Sequence, residues 1–236
     1  MLKKYKIVVT GGSGRFGKKL KEFNTGNYVF PNKKEFDVLN FKKIIKYLRK
    51  IKPKILVHLA GLSRPMAEHE NNISKSIKLN IIGTANVTLA CKELGIKIIY
   101  FSTSYVYPGK KGEYKESDPV LPCNNYAWSK LGGEAAVQMC KNSLILRVCM
   151  TEKPFVHKSA YANMITNFIF HEELIPIFKK ITKYKGIINI GGPTQSVYNF
   201  AKKYNPNVKK IYIKKNNNLM PMNSSMNLSK LKKIIK

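Results

Sequence analysis

Short apolar runs rich in β-branched residues alternate along this chain with longer stretches whose apolar positions recur every three or four residues. Runs of the first kind read as buried strands and those of the second as amphipathic helices. Their alternation is the mark of a parallel sheet with crossover helices. Strands are expected at KIVVT (6–10), NYVF (27–30), KILVHLA (54–60), KIIYFST (97–103), SLILRV (143–148) and GIINIG (186–191). Between the second and third, NFKKIIKYLRKIK (40–52) lines Ile44, Ile45, Leu48 and Ile51 along one helix face. The expected class is α/β with a doubly wound parallel sheet.

Past Arg147 the pattern is less regular. Stretches 172–186, with Pro176 near its start, and 195–204 look helical, 213–225 is polar and irregular, and LSKLKKIIK reads as a last short helix. No repeat or low-complexity linker divides the chain. Residues 1–150 are therefore expected to form a nucleotide-binding domain, with 151–236 a small lobe packed on it as part of one compact unit.

Composition narrows the function class. Among 236 residues there is no apolar run near the roughly 20 needed to span a bilayer. The start, MLKKYKIVVTGG, passes from a few apolar residues straight into glycines, so it reads as a first strand and not as a signal peptide. The four cysteines, Cys91, Cys123, Cys140 and Cys149, have no metal-ligand spacing and fit a reducing cytoplasm; no metal is expected. A formal charge of +30 raises the question of nucleic acid, but the lysines are scattered and arginine is nearly absent. An anionic small-molecule ligand suits that distribution better.

TGGSGRFGKKL follows the first strand and opens a helix, spacing Gly11, Gly14 and Gly17 as G-x-x-G-x-x-G. Residues without a Cβ permit the tight turn, the approach of a pyrophosphate to backbone N–H groups, and close helix–sheet packing. A tight turn without ligand would use the same residues, so position decides: strand, loop, helix at the head of an α/β chain is the Rossmann arrangement. Arg15, just inside the helix, is placed to reach a phosphate. After the second strand, where an acidic residue would bind a ribose 2′-hydroxyl, Asn32, Lys33 and Lys34 stand instead, which favours NADP(H), with NAD(H) the alternative. Asp37 comes later, as a helix-start or adenine-side residue.

FSTSYVYPG (101–109) leaves the fourth strand at the carboxyl edge, where open α/β sheets bind ligands, and offers Ser102, Thr103 and Ser104. NNYAWSK then sets Tyr126 and Lys130 one helical turn apart. A nearby ammonium lowers a phenol's pKa from about 10, so that tyrosine can exchange a proton with a substrate oxygen near neutral pH. Tyr-x-x-x-Lys alone occurs often by chance; the glycine loop and the hydroxyl segment in the same chain make the pair a catalytic candidate.

Together the loop GGSGRFG, the strand end HLAG, the segment FSTSYVY, YAWSK followed by GGE, and LILRV resemble the extended short-chain dehydrogenase/reductases that act on nucleotide sugars. Among them the chain looks most like the dTDP-4-dehydrorhamnose reductases and their relatives, from YKESDPVLPCNNYAWSKLGGE through GIINIGGPTQSVYNFAK to MPMNSSMNLSKLKKI. The resemblance implies NADPH-dependent reduction of a 4-keto-6-deoxy nucleotide sugar, with Thr103, Tyr126 and Lys130 as the catalytic set. It implies a cofactor cradle of Gly11, Ser13, Gly14, Arg15, Phe16, Gly17, Asn32, Lys33, Asp37, Val38, Leu59, Ala60, Gly61 and Asn80, joined by Tyr126 and Lys130. Substrate would meet Thr103, Ser104, Tyr105 and Tyr126. Ser104 stands where the family usually has aspartate, and the stretch from Arg147 to Gly186 is short; within it His157, Lys158, Tyr161 and Asn163 are polar candidates for the sugar pocket. Tyr105 replaces the cysteine of one epimerising subgroup, so epimerisation is not expected. A nucleotide-sugar epimerase or dehydratase holding NAD tightly, and a non-catalytic cofactor-binding subunit of another enzyme, are the competing readings. A homodimer is one assembly open to it.

Overall fold

The computed structural model describes residues 6–23, 27–214 and 219–236. In chain order its elements are β1 (Ile7–Thr10), α1 (Arg15–Glu22), β2 (Tyr28–Val29), α2 (Phe41–Ile51), β3 (Ile55–His58), α3 (Ala67–Asn71), α4 (Ile73–Ser76), a π-helical turn (Ile77–Ile82), α5 (Gly83–Glu93) and β4 (Lys97–Thr103). A 3₁₀ turn (Ser104–Val106), α6 (Asn125–Gln138) and β5 (Ser143–Val148) follow. Next come β6 (Met150–Thr151), β7 (Ser159–Tyr161), β8 (Ile165–Thr166), β9 (Ile169–Phe170), α7 (His171–Ile181), β10 (Gly186–Ile190), β11 (Gln195–Ser196), α8 (Val197–Lys202), β12 (Lys209–Ile211) and α9 (Ser229–Ile235).

Six strands form one sheet in the order β10-β5-β4-β3-β1-β2. Ile7 pairs in parallel with Tyr28 on one side and Ile55 on the other, and Ile55 with Lys97. The chain therefore turns outward to β2, then returns across β1 to β3. That reversal is a topological switch point, and it places the ligand crevice outside the carboxyl ends of β1 and β3. The strands β1, β3, β4 and β5 are buried along their whole length, as continuous Val/Ile/Leu runs require of a sheet covered on both faces.

All six expected sheet strands are present, most of them shorter than their apolar runs. The helix expected at 40–52 is α2, with the Asn40 side chain accepting from Lys43 N and closing its first turn. Ile44 and Leu48 are buried, while Ile45 and Ile51 are half-buried at the edge of that face. Two details differ from the sequence pattern. Residues 195–204 begin as the two-residue strand β11, and the irregular region after Arg147 holds the strands β6 to β9, each too short to leave a periodicity.

The chain divides into two compact units: residues up to Phe101 with 129–145 and 184–186, and residues 102–128 with 146–183 and 187–236. Strands β4 and β5 begin in the first unit and end in the second, and α6 begins in the second and runs into the first. The second unit has its own core of Phe155, Met164, Phe170, Val197, Phe200 and Val208. It also holds the two-stranded pairs β11/β8, β12/β7 and β6/β9, and a buried polar knot. Arg147 Nη1 donates to Tyr107 Oη (2.8 Å), whose ring stacks on Tyr114 at 4.8 Å, and Asn189 Nδ2 donates to the Tyr114 carbonyl (2.8 Å). The C-terminal segment is fastened to the same loop by Asn223 N to Gly109 O (2.7 Å) and Tyr114 N to Ser225 O (3.0 Å). Gly109 and Gly112 have positive φ, and a Cβ on either would collide with Pro221 or Asn223, so the loop conforms to the tail.

Candidate active site

In the first unit the glycine loop is packed as tightly as its sequence suggests. Gly11 has φ +72°, and a Cβ there would lie 2.6 Å from Ala60 N and 2.7 Å from the Leu59 carbonyl carbon. At Gly17 a Cβ would meet Gly11 O and Gly12 Cα. Gly14 N donates to Gly11 O at 2.9 Å, closing the turn, and Gly14 becomes the N-cap of α1 with no side-chain cap. The first turn of α1 carries no acidic residue. A helix start of this kind, with uncapped N–H groups and no opposing carboxylate, favours an anion. Ser13 is exposed beside it, and Phe16 is buried, 5.1 Å ring to ring from Phe101. Arg15, exposed, donates from Nη2 to Ser63 Oγ at 3.2 Å.

Beyond β2 the side chain of Asn32 is committed to its own turn, accepting from Lys34 N (2.8 Å) and Glu35 N (3.1 Å). This fixes the loop and leaves Lys33 exposed at its tip. Asp37 likewise accepts from Leu39 N at 3.0 Å, three residues before the α2 cap, so its carboxylate shapes the helix start. Val38 is buried, and a Cβ on Gly83 would lie 2.8 Å from its Cγ2.

Asn80 joins the loop after β3 to the helix that carries the candidate lysine. Its Oδ1 accepts from Leu62 N (2.7 Å), and its Nδ2 donates to Leu62 O (2.9 Å) and Ser129 Oγ (2.8 Å). The residue sits in the π-helical turn, whose extra residue per turn aims a side chain out of the regular helical register. Gly61 lies against it, since a Cβ there would be 2.7 Å from Asn80 Oδ1.

Lys130 is half-buried on α6, and its Nζ stands 4.2 Å from the centre of the Tyr100 ring. Burial pushes its pKa down to about 7, against an opposing pull from Glu134 one turn further on. The Tyr100 hydroxyl donates to Lys130 O at 3.1 Å. On Tyr100 stacks His58, at 5.9 Å between ring centres, with its nitrogens 2.8 Å from Thr10 Oγ1 and 3.1 Å from Thr84 Oγ1. Burial first, and Lys130 second, push the His58 pKa down to about 3, so the ring is neutral. The Tyr100, His58 and Glu134 layer was not among the candidate site residues; HLAG and GGE contain His58 and Glu134, but nothing in one sequence shows that two buried rings stack.

In the second unit Thr103, buried at the end of β4, accepts from Tyr105 N at 3.3 Å and caps the 3₁₀ turn. Tyr105 then meets Tyr126 edge to face, ring centres 6.2 Å apart. Ser104 is turned inward, 1% exposed, toward the Cys149 thiol. Burial raises the Cys149 pKa to about 11 although the Thr166 hydroxyl, 2.9 Å from Sγ, and Ser104 both favour the thiolate. Ser104 and Thr103 are thus both buried at the end of β4. Of the four polar candidates after Arg147, Asn163 is spent on a backbone clamp, accepting from Ile213 N (2.8 Å) and donating to Ile213 O (3.0 Å). His157 is exposed against Phe155, and Lys158 is exposed.

Tyr126 and Lys130 lie one turn apart on α6, which passes from one unit to the other. Residues 5–169 match the family model described as RmlD substrate binding domain. The chain belongs to that family.

Within it, the chain is 29% identical over 142 residues to methionine adenosyltransferase 2 subunit beta of Pongo abelii, a match covering 56% of this chain and 42% of that protein. It is 26% identical over 202 residues to dTDP-4-dehydrorhamnose reductase of Aggregatibacter actinomycetemcomitans, covering 81% of this chain and 63% of the relative. These matches span less than two thirds of either relative. The fold is that of the dTDP-4-dehydrorhamnose reductase of Bacillus anthracis, crystallised in complex with NADP: the TM-score is 0.87 at 23% identity, over 98% of this chain and 92% of that one. Among the described residues no helix is long and apolar enough to cross a membrane, and no cluster of His, Cys, Asp and Glu could hold a metal ion.

Proposed function

We propose that this protein is an NADPH-dependent reductase of a 4-keto-6-deoxy nucleotide sugar, with Thr103, Tyr126 and Lys130 as its catalytic set. One observation carries the reading: Tyr126 stands one helical turn from a half-buried lysine and, in its own unit, against the hydroxyl segment at the end of β4. The family supports it, and so does the reductase relative. The chain's own residues fit a nicotinamide dinucleotide, because Gly11 and Gly17 let the loop fold onto Ala60 and onto itself more closely than any Cβ would allow, and α1 presents uncapped N–H groups without a carboxylate.

When bound, the cofactor supplies the hydride. Tyr126 gives its phenolic proton to the carbonyl oxygen as the carbonyl carbon is reduced, so ketone becomes secondary alcohol and Tyr126 is left as phenolate, to be reprotonated from solvent. Lys130, as ammonium, stabilises that phenolate by charge, and Thr103 holds the same substrate oxygen by a hydrogen bond. Exposed Lys33 and Arg15 supply positive charge for a 2′-phosphate and the pyrophosphate.

A second reading has its own support. The relative named as a subunit of methionine adenosyltransferase 2 makes a cofactor-binding partner subunit the competing role. One experiment separates them: NADPH oxidation is followed at 340 nm with dTDP-4-keto-6-deoxy sugars as substrates, using wild type and Tyr126→Phe. Turnover by wild type, lost in the variant while NADPH binding persists, is the expected result. Absence of turnover in wild type together with a stable complex with another enzyme would establish the partner reading instead.

A further inference from the structure

The sequence motif accounts for Lys130 but not for what holds it. A lysine side chain has four rotatable carbons and no preferred end point, so a catalytic role needs something to fix its nitrogen. Two features of one residue do so here. The Tyr100 ring lies under the ammonium at 4.2 Å, within the range of a cation–π contact, and the Tyr100 hydroxyl donates to the carbonyl of Lys130 at 3.1 Å. One rigid side chain thus grips both ends of the lysine. Tyr100 is itself immobile: it is fully buried, and His58 stacks on it, anchored between Thr10 and Thr84.

The helix is shaped to allow this grip. A Cβ on Gly133 would lie 2.6 Å from Tyr100 Oη, 2.6 Å from Asn80 O and 3.1 Å from Thr84 Oγ1. Any larger residue would push α6 off the ring.

The geometry points to Tyr100 as a positioning residue that holds the Lys130 ammonium by its π face and the Lys130 backbone by its hydroxyl, with His58 as the backing of the ring. The inference rests on the assignment of Lys130 to catalysis only for its functional consequence; the stack itself is a separate property. The charged group that bears on Lys130 is Glu134 on α6, and the Lys130 charge in turn disfavours protonation of His58 on β3 and His69 on α3.

Replacing Tyr100 by an aliphatic residue would open a cavity and blur the outcome, so the test changes the ring's electrons and keeps its shape. Phenylalanine, difluorophenylalanine and trifluorophenylalanine are placed at position 100 of the full chain by nonsense suppression. Competitive acetylation across pH, read peptide by peptide by mass spectrometry, reports the ammonium of Lys130 without cofactor or substrate. Fluorine withdraws charge from the ring face and leaves the ammonium less stabilised, so the Lys130 midpoint falls stepwise, by about one pH unit across the series. The labelling midpoints of surface lysines stay in place, and thermal unfolding confirms that each variant is folded. A Lys130 midpoint that does not move along the series overturns the proposal. Because this readout is independent of turnover, an inactive wild type would count against the reductase reading and leave the stack standing.

Discussion

Asn80 Nδ2 donates to Ser129 Oγ at 2.8 Å, so a residue in a π-helical turn fixes the helix position just before Lys130. The same side chain closes a two-way clamp on the backbone of Leu62. Loop and helix are thereby held at one distance. Asn80→Ala leaves the Leu62 N–H and the Ser129 hydroxyl without this partner in a buried setting, and about 2–4 kcal/mol of stability is expected to be lost. Urea unfolding at pH 7 measures it, and on the proposed function the protein's Kd for NADPH should rise in the same variant.

Gly133→Ala is expected to destabilise although alanine is the better helix former by about 1 kcal/mol. The new methyl would meet Tyr100 Oη and Asn80 O at 2.6 Å, both of them buried and held. A net loss of about 1–3 kcal/mol follows from overpacking. Gly132→Ala meets only the half-buried Ile81 side chain, at Cδ1 (2.8 Å) and Cγ1 (2.9 Å), and no backbone or held polar atom, so it should cost less. The difference between the two midpoints of unfolding is the measurement.

His58 makes stability depend on acid. Its pKa is about 3 in the folded protein and about 6.5 when the chain is unfolded, so between those values the unfolded chain binds a proton that the folded one does not. Its contribution is fully present above pH 6.5 and is lost as the pH falls toward 3. From pH 7 to pH 5 this single residue should remove about 2 kcal/mol. A neutral replacement, His58→Gln, should flatten that part of the pH profile in urea unfolding, whatever it does to stability at pH 7.

Lys33, exposed at the tip of the turn that Asn32 closes, is a positive group proposed to meet a 2′-phosphate. Lys33→Asp should lower the preference for NADPH over NADH by about 10- to 100-fold, the worth of one charge-assisted hydrogen bond. Dissociation constants of the two cofactors, from protein fluorescence, give the ratio directly.

How much of this was legible beforehand follows from the range of each interaction. The glycine loop could be read because its demand is local: Gly11 must take φ +72° and let Ala60 approach, and only a residue without a Cβ can do so. The sheet strands could be read because burial on both faces makes each of them a continuous apolar run. Tyr126 and Lys130 could be paired because a helix puts residues four apart on one face, and α6 is a helix.

Other features depended on residues far apart in the chain. Tyr100 reads as one more apolar position in KIIYFST, and its role appears only when α6 is laid across β4. Ser104 reads as one more hydroxyl donor beside Thr103, and only the fold shows it buried beside Cys149. Asn163 reads as a sugar-pocket candidate, and the backbone of Ile213, just past β12, claims both ends of its amide. By itself the sequence determined the six sheet strands, their α/β order, the glycine loop and the Tyr126–Lys130 spacing, all of which are set by steric and periodic rules acting over a few residues. Tertiary structure alone decided which buried side chains face one another, because hydrogen bonds and ring stacks across 30 to 80 residues of chain leave no periodic trace in the order of the residues that make them.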